Sequence, residues 1–172
     1  MKNSLLKTLA GTLMLVLMFV GSMNVCVSAQ GLAEDFSKRS IVGVWLAQLQ
    51  GRNCTTGDPV GPSAPGLMTF AEGGTLSETA TIPPPNPFPS PFFRSPGHGI
   101  WDRQNWENYT AAIVLQRLNA DGTFAGRTRI RLTIQLMDSG NGFTWTGTGE
   151  LVAPDGTVIG TSCNTGSAVR FE

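Results

Sequence analysis

The pattern of hydrophobic and polar positions from residue 41 onward is that of a β-protein. Short segments rich in Thr, Val, Ile and aromatic residues are separated by clusters of Gly, Pro, Asn and Asp, which are typical of turns. No window shows a sustained helical period. The pattern predicts eight strands, over residues 41–50, 66–71, 74–81, 98–103, 107–118, 123–137, 142–152 and 157–171.

The sixth and seventh predicted strands show the clearest alternation with a period of two residues. In the sixth strand, apolar side chains from Phe124 to Leu136 share one face, whereas Arg127, Arg129 and Arg131 share the other. The seventh strand repeats the pattern, with its threonines on the polar face. This alternation predicts antiparallel strands with one buried and one solvated face, and the three arginines are interpreted as part of the solvated face.

The short turns between strands indicate an up-and-down meander of eight antiparallel strands. The first and last strands of such a meander are antiparallel neighbours, so the sheet can close into a barrel without exposed edges. Cys54 lies just beyond the first predicted strand, and Cys163 lies in the last. We therefore predict an all-β, eight-stranded antiparallel barrel with a Cys54–Cys163 disulfide at its seam. A two-sheet sandwich fits the same alternation and remains the alternative.

The segment before the strands is typical of a signal peptide. Lys2 and Lys7 give a positively charged start, and residues 9–20 form an almost unbroken apolar run. Small residues at 27–29 form a cleavage site before Gln30. The run is short for a membrane-spanning helix, which needs about 20 residues. The sequence therefore predicts a cleaved signal peptide, a mature chain without a membrane span, and a periplasmic or secreted location.

Removal of this segment divides the chain into three predicted parts: signal peptide 1–29, an N-terminal segment 30–40 that could hold a short helical turn, and a barrel domain 41–172. The mature part keeps ten basic and twelve acidic residues, a net charge of −2. This near-neutral balance gives no electrostatic argument for nucleic acid, anionic membranes or acidic polymers. One histidine and two cysteines leave little material for a zinc or copper site, so no metal or cofactor is expected.

Two short motifs resemble those of the calycin superfamily, the lipocalins and their relatives. Gly43-Val44-Trp45 on the first strand resembles the lipocalin G-x-W motif, and Arg170 is placed like the basic residue that packs over that tryptophan. The resemblance implies that Gly43, Trp45 and Arg170 pack at the barrel floor, which a turn within 32–39 could close. No helix follows the last predicted strand, so small secreted calycin-like barrels are a nearer comparison than lipocalins proper.

A barrel of eight strands has an interior just able to hold its own side chains or one small ligand. The first functional hypothesis is therefore an exported, non-catalytic barrel that binds a small hydrophobic molecule. The same inward side chains could equally fill the barrel. The residues predicted to face this interior are Trp45, Phe124, Ile130, Leu132, Phe143 and Trp145.

Two long, proline-bearing connections are predicted over one end of the barrel, at 51–65 and 82–97. In lipocalins the first of these is the lid over the ligand mouth. Phe88, Phe92 and Phe93 lie among or beside the prolines of the second, which favour extended polyproline geometry. This segment is either a packed surface loop or a lid or partner-binding arm. The second hypothesis is therefore a protein-binding module, such as a secreted protease inhibitor.

The third hypothesis is a cyclase-type barrel enzyme that shapes an apolar pocket around its substrate. Such an enzyme needs a positioned polar residue, and His98 and Tyr109 are the few candidates. Asp102 is the only acid near enough in sequence to orient His98, and no nucleophile accompanies them. We therefore interpret His98 as a rim residue and expect a binding protein rather than an enzyme.

Overall fold

The computed structural model describes residues 40–81 and 93–171, which contain nine β-strands and no helix. The predicted signal peptide, residues 30–39, Phe88 and Phe92 lie outside the described residues. No helix in the described part is long and apolar enough to cross a membrane. The strands are β1 (Gly43–Arg52), β2 (Pro59–Phe70), β3 (Thr75–Ala80), β4 (Phe93–Arg94), β5 (Gly97–Arg103), β6 (Asn108–Leu118), β7 (Phe124–Leu136), β8 (Gly142–Val152) and β9 (Val158–Arg170).

Eight of these strands form a closed, up-and-down antiparallel barrel, as the sequence predicted. Each strand pairs with the next, and β9 pairs with β1 to close the sheet, whereas the two-residue β4 pairs with β6. We call the end where β1 begins and β9 ends the floor, and the opposite end the mouth. The hairpins β2–β3, β5–β6 and β7–β8 lie at the floor, and β6–β7 and β8–β9 lie at the mouth.

The predicted long loop at 51–65 is wrong, because β2 begins at Pro59 and leaves only residues 53–58 as the connection. Prolines predict a loop because a proline cannot donate a hydrogen bond to a neighbouring strand. Here β3 pairs only with the later part of β2, from Gly66 onward, and the β1–β2 register shifts between Leu49 and Gly51. The prolines therefore lie beside a bulge, in a stretch of β2 that pairs with β1 alone among the described strands.

The floor half of the barrel is filled by aromatic side chains. Trp45, Phe70, Tyr109 and Phe143 each have 1% or less of their surface exposed. The Trp45 and Phe143 rings meet edge to face at a centroid distance of 4.8 Å, and the Phe70 and Phe143 rings do so at 5.8 Å. These rings pack against one another, which favours the hypothesis of a filled barrel for the floor half.

Phe124 does not face the interior, contrary to the alternation read from the sequence. The β6–β7 register steps from Arg117 opposite Gly126 to Leu118 opposite Phe124, so β7 contains a bulge at Ala125. An extra residue in one strand reverses the face of every position beyond it. Phe124 is consequently 40% exposed on the outer surface, where its ring lies 5.7 Å from the Arg127 guanidinium carbon.

The predicted disulfide joins Cys54 and Cys163, with a Cα–Cα distance of 5.2 Å. Cys163 lies opposite Arg52 in the β1–β9 ladder, and Cys54 follows two residues after Arg52. The bond therefore lies across the seam that closes the barrel and links segments separated by 109 residues.

Candidate functional site

The floor of the barrel is organised around Trp45. Its indole Nε1 donates a hydrogen bond of 2.8 Å to the Ile41 carbonyl, and the Arg170 guanidinium carbon lies 4.2 Å from the centroid of its rings. Gly43 has a φ of 137°, and a Cβ atom there would lie 2.8 Å from Arg170 Nη1. A side chain at position 43 would therefore combine an unfavourable backbone conformation with a clash.

Arg170 also fastens the chain entering β1 to the β7–β8 hairpin. Its Nη2 donates to the carbonyls of Ser40, at 2.6 Å, and Gly140, at 2.9 Å, and its Nη1 donates to Val42 at 2.9 Å. Burial lowers the pKa of the Arg170 guanidinium, an effect that the nearby Tyr109 opposes. The tryptophan on β1 and the arginine on β9 thus form one packed unit at the floor. Gly43, Trp45 and Arg170 therefore lie together at the floor of the closed eight-stranded barrel.

We expect Arg170→Lys to lower the free energy of unfolding by about 2 kcal/mol, measured by urea denaturation. Lysine keeps the charge but lacks the planar fork that stacks on Trp45 and reaches several carbonyls at once. Arg103→Lys is the matched control, because Arg103 also lies over an indole ring, that of Trp106 at 4.7 Å, but in an exposed hairpin. Equal losses in both variants would contradict a special role for Arg170.

Above the packed floor lies a small interior cavity of about 70 Å³. Glu78, Arg94 and Asn164 bring polar side chains to it. The rest of its lining is mainly apolar and includes Leu49, Met68, Ile113, Ile130, Leu132 and Trp145. The cavity therefore combines an apolar wall with a few polar groups, which is the usual chemistry of a small-molecule site.

An ion pair lies at this cavity. Arg94 Nη2 donates to Glu78 Oε1, and only 14% and 10% of the two side chains are exposed. Glu78 faces inward because it alternates on β3 with the buried Leu76. Gly97 lies directly against the carboxylate and Ile113, so no side chain could stand at this position without displacing them. The pair joins β3 to β4 at the mouth side of the core.

A second polar contact crosses the cavity wall from β8 to β9. Trp145 Nε1 donates a hydrogen bond of 2.9 Å to Asn164 Oδ1. A Cβ atom at Gly147 would lie 2.6 Å from Leu132 Cδ2 and 2.7 Å from Asn164 Oδ1. The glycine thus gives these two side chains room to lie over the strand, and fixes Asn164 beside the indole.

The structure divides the residues that the sequence placed in the interior. Ile130, Leu132 and Trp145 line the cavity, whereas Trp45 and Phe143 belong to the packed floor. Glu78, Arg94 and Asn164 were not among the interior residues predicted from the sequence. Glu78 and Asn164 could have been found as polar residues at inward-facing positions of alternating strands. No local sequence pattern indicates that Arg94 faces the interior.

The candidate residues for catalysis are not brought together. His98 is exposed on the outer face of β5, whereas Tyr109 is buried in the floor. Asp102 lies on the same outer face as His98 but four residues along the strand, a separation of about 13 Å. Asp102 therefore cannot orient the imidazole. Phe93, the rim aromatic within the described residues, is 65% exposed on β4.

Two similar Asp-Gly-Thr turns lie in the hairpins at the mouth. Thr123 donates from its hydroxyl and its backbone N–H to Asp121 Oδ1, and these hydrogen bonds lower the pKa of that exposed carboxyl. Hydrogen bonds from Thr157 do the same for Asp155. The carboxylates thus stabilise their own turns, and the described residues contain no cluster of three His, Cys, Asp or Glu suited to a metal ion.

Comparison with known proteins gives similarity at the level of structure only. No protein-family model matches the chain, and neither does any curated protein sequence. Among solved structures, EF1p2_mFAP2b bound to DFHBI is 16% identical, with a TM-score of 0.46, and the match covers 76% of this chain and 94% of that one. The S-type phycobiliprotein lyase CPES from Guillardia theta is 9% identical, with a TM-score of 0.36, over 81% of this chain and 93% of that one.

Proposed function

We propose that this protein is an exported, non-catalytic barrel that binds a small ligand in the mouth half of its interior. The observation that carries the proposal is the cavity beside the Glu78–Arg94 ion pair. Burying charged groups is costly even when they are paired, and hydrophobic residues would fill the same space as stably. A charged pair next to a cavity is therefore better explained by ligand recognition than by stability.

The volume and lining of the cavity also limit the size and the chemistry of the ligand. The cavity volume of about 70 Å³ is far below the roughly 300–1,000 Å³ typical of drug-sized sites. The proposed ligand is therefore very small, or inserts only an apolar end between Ile130, Leu132 and Trp145. Its polar group would meet Glu78, Arg94 or Asn164, since an unpaired polar group in this setting would be unfavourable. The predicted hydrophobic ligand thus becomes one with a polar end.

The proposal includes export of the protein from the cytosol. The disulfide supports it, because such bonds persist in the periplasm and outside the cell and are rare in a reducing cytosol. The predicted signal peptide with cleavage after Ala29 would deliver the chain there. Amino-terminal sequencing of the exported protein should begin at Gln30.

We expect Ile130→Trp to abolish ligand retention, because the larger side chain would occupy the cavity. The measurement is native mass spectrometry of protein purified without denaturation from the exported fraction of its natural host. The unmodified protein should carry an additional small mass that is released on denaturation, and the Ile130→Trp protein should not.

Thr133→Trp is the matched control, since it adds the same residue to the same strand on the exposed outer face. It should retain the ligand. Circular dichroism should show the β-structure of both variants, because overpacking a core can itself destabilise a protein by about 1–3 kcal/mol. A bare mass for the unmodified protein, or equal retention by the two tryptophan variants, would contradict the proposal.

A further inference from the structure

The outer surface of five consecutive strands has an unusual composition. We define the arginine–threonine wall as the outward side chains of β6 (108–116), β7 (127–135), β8 (144–150), β9 (161–167) and β1 (48–52). Most of these side chains carry hydroxyl or amide groups. The charged members are four arginines and one acid: Arg52, Arg127, Arg129, Arg131 and Glu150.

The strand register aligns these groups in rows across the wall. Thr110, Thr133, Thr146 and Thr165 lie opposite one another on four neighbouring strands. Neighbouring strands are about 4.8 Å apart, so the row presents regularly spaced hydroxyl groups over about 14 Å. The sheet thus offers repeated hydrogen-bonding positions to a ligand that is itself extended.

The next row toward the mouth adds positive charge. Arg131 on β7 and Arg52 on β1 lie in this row, with Thr148 and Cys163 between them and Ala112 of β6 beyond Arg131. Arg52 is held in place because its Nε donates a hydrogen bond of 2.9 Å to Thr165 Oγ1. Arg131 and Arg52 thus lie in one row, three strands apart, and the guanidinium group of Arg52 is anchored.

The net charge of the mature chain conceals this local surplus. Arg129 lies 3.4 Å from Glu150, and both side chains are about half exposed, so this pair is weakly held. Asp102 borders the wall on β5. Glu78 lies in the core. The other acids of the described barrel lie in turns and are Asp58, Glu72, Glu107, Asp121, Asp138 and Asp155.

Two open grooves follow the rows. One has a volume of about 880 Å³ and includes Arg52, Arg131 and Asp102 in its lining, and the other has a volume of about 570 Å³ and is lined largely by Gln and Thr side chains. No aromatic side chain is among the outward positions of the wall as defined, and the two tryptophans that border the grooves, Trp101 and Trp145, pack against the core. The wall therefore lacks the stacking platforms on which single-stranded nucleic acids are bound.

We propose that the arginine–threonine wall binds an acidic polysaccharide, a linear chain that bears carboxylate or sulfate groups among its hydroxyls. Guanidinium groups bind carboxylate and sulfate oxygens through paired, charge-assisted hydrogen bonds. The threonine hydroxyls and the glutamine amides match the hydroxyl groups of the sugar rings. The proposal does not rest on the interior ligand, because the wall and the cavity lie on opposite faces of the sheet.

The test measures binding of the full mature protein to polygalacturonate, dextran sulfate and neutral dextran by titration calorimetry at about 20 mM salt, where screening is weak. One or both charged polymers should bind, with an affinity that falls as salt is added, and neutral dextran should not. Arg131→Gln should weaken binding about two- to fivefold and Arg131→Glu about tenfold or more.

Arg103→Gln is the matched control, since it removes one exposed positive charge in the β5–β6 hairpin at the floor, on a strand outside the wall and away from the row of Arg131 and Arg52. Its binding should equal that of the unmodified protein. The proposal is overturned if neither charged polymer binds, if Arg103→Gln weakens binding as much as Arg131→Gln, or if a thymidine oligonucleotide binds more tightly than both polymers. Polymer binding by the Ile130→Trp protein should be unchanged, which separates this test from that of the interior ligand.

Discussion

Replacing Arg94 with leucine is expected to lower the free energy of unfolding by about 3–5 kcal/mol, measured by urea denaturation at neutral pH. The change removes the partner of Glu78, whose side chain is only 10% exposed. A carboxylate left in the core without its cation loses hydration without compensation, which is why breaking one side of a buried pair is so destabilising. The loss should exceed that of a typical surface substitution several-fold.

The double variant Glu78→Leu/Arg94→Leu separates this cause from a loss of packing. It removes both charges and replaces them with side chains suited to the apolar wall of the cavity. We expect it to recover most of the stability and to be within about 1 kcal/mol of the unmodified protein. If the double variant is as unstable as Arg94→Leu, the ion pair stabilises the fold itself. The argument that it is present for a ligand would then fail.

The backbone of this barrel was largely predictable because its strands alternate so regularly. The prediction failed at two places where the backbone geometry changes and the sequence carries no separate signal of that change. The bulge at Ala125 turned Phe124 outward, although its position in the pattern matches that of Ile130. The prolines of β2 are compatible with a strand because that stretch pairs with β1 alone among the described strands and contains a bulge. Which strands pair is a property of the whole sheet, so the local sequence does not reveal it.

The chemistry of the candidate site was harder to predict than its position. Glu78 alternates with Leu76, so the pattern places a carboxylate inside the barrel. A buried carboxylate requires a partner, but its cation lies 16 residues away on the two-residue strand β4. Such a short strand has no measurable periodicity, so nothing in the local sequence indicates which arginine turns inward. The apolar members Ile130, Leu132 and Trp145 were found because they lie on long strands.

Removal of the disulfide is the second change expected to have a large effect. The Cys54→Ala/Cys163→Ala protein should lose about 4–5 kcal/mol of unfolding free energy, because the bond closes a separation of 109 residues and restricts the unfolded chain accordingly. Thr55→Ala is the control for a change in the same exposed turn, and should alter the stability by less than about 0.5 kcal/mol. Both variants are measured by urea denaturation without reductant and compared with the oxidised, unmodified protein.

The position of the bond also predicts where the weakened barrel opens. The β1–β9 ladder joins the two strands that are farthest apart in the chain, whereas β6 and β7 are joined by a short hairpin. Without the bond, closing the seam must restrict a very long chain segment, and the hairpin incurs no such cost. Hydrogen exchange of the β1 and β9 amides should therefore accelerate more than that of β6 and β7. Uniform acceleration would show that the barrel opens only as a whole, and that the bond acts on the unfolded chain rather than on the seam.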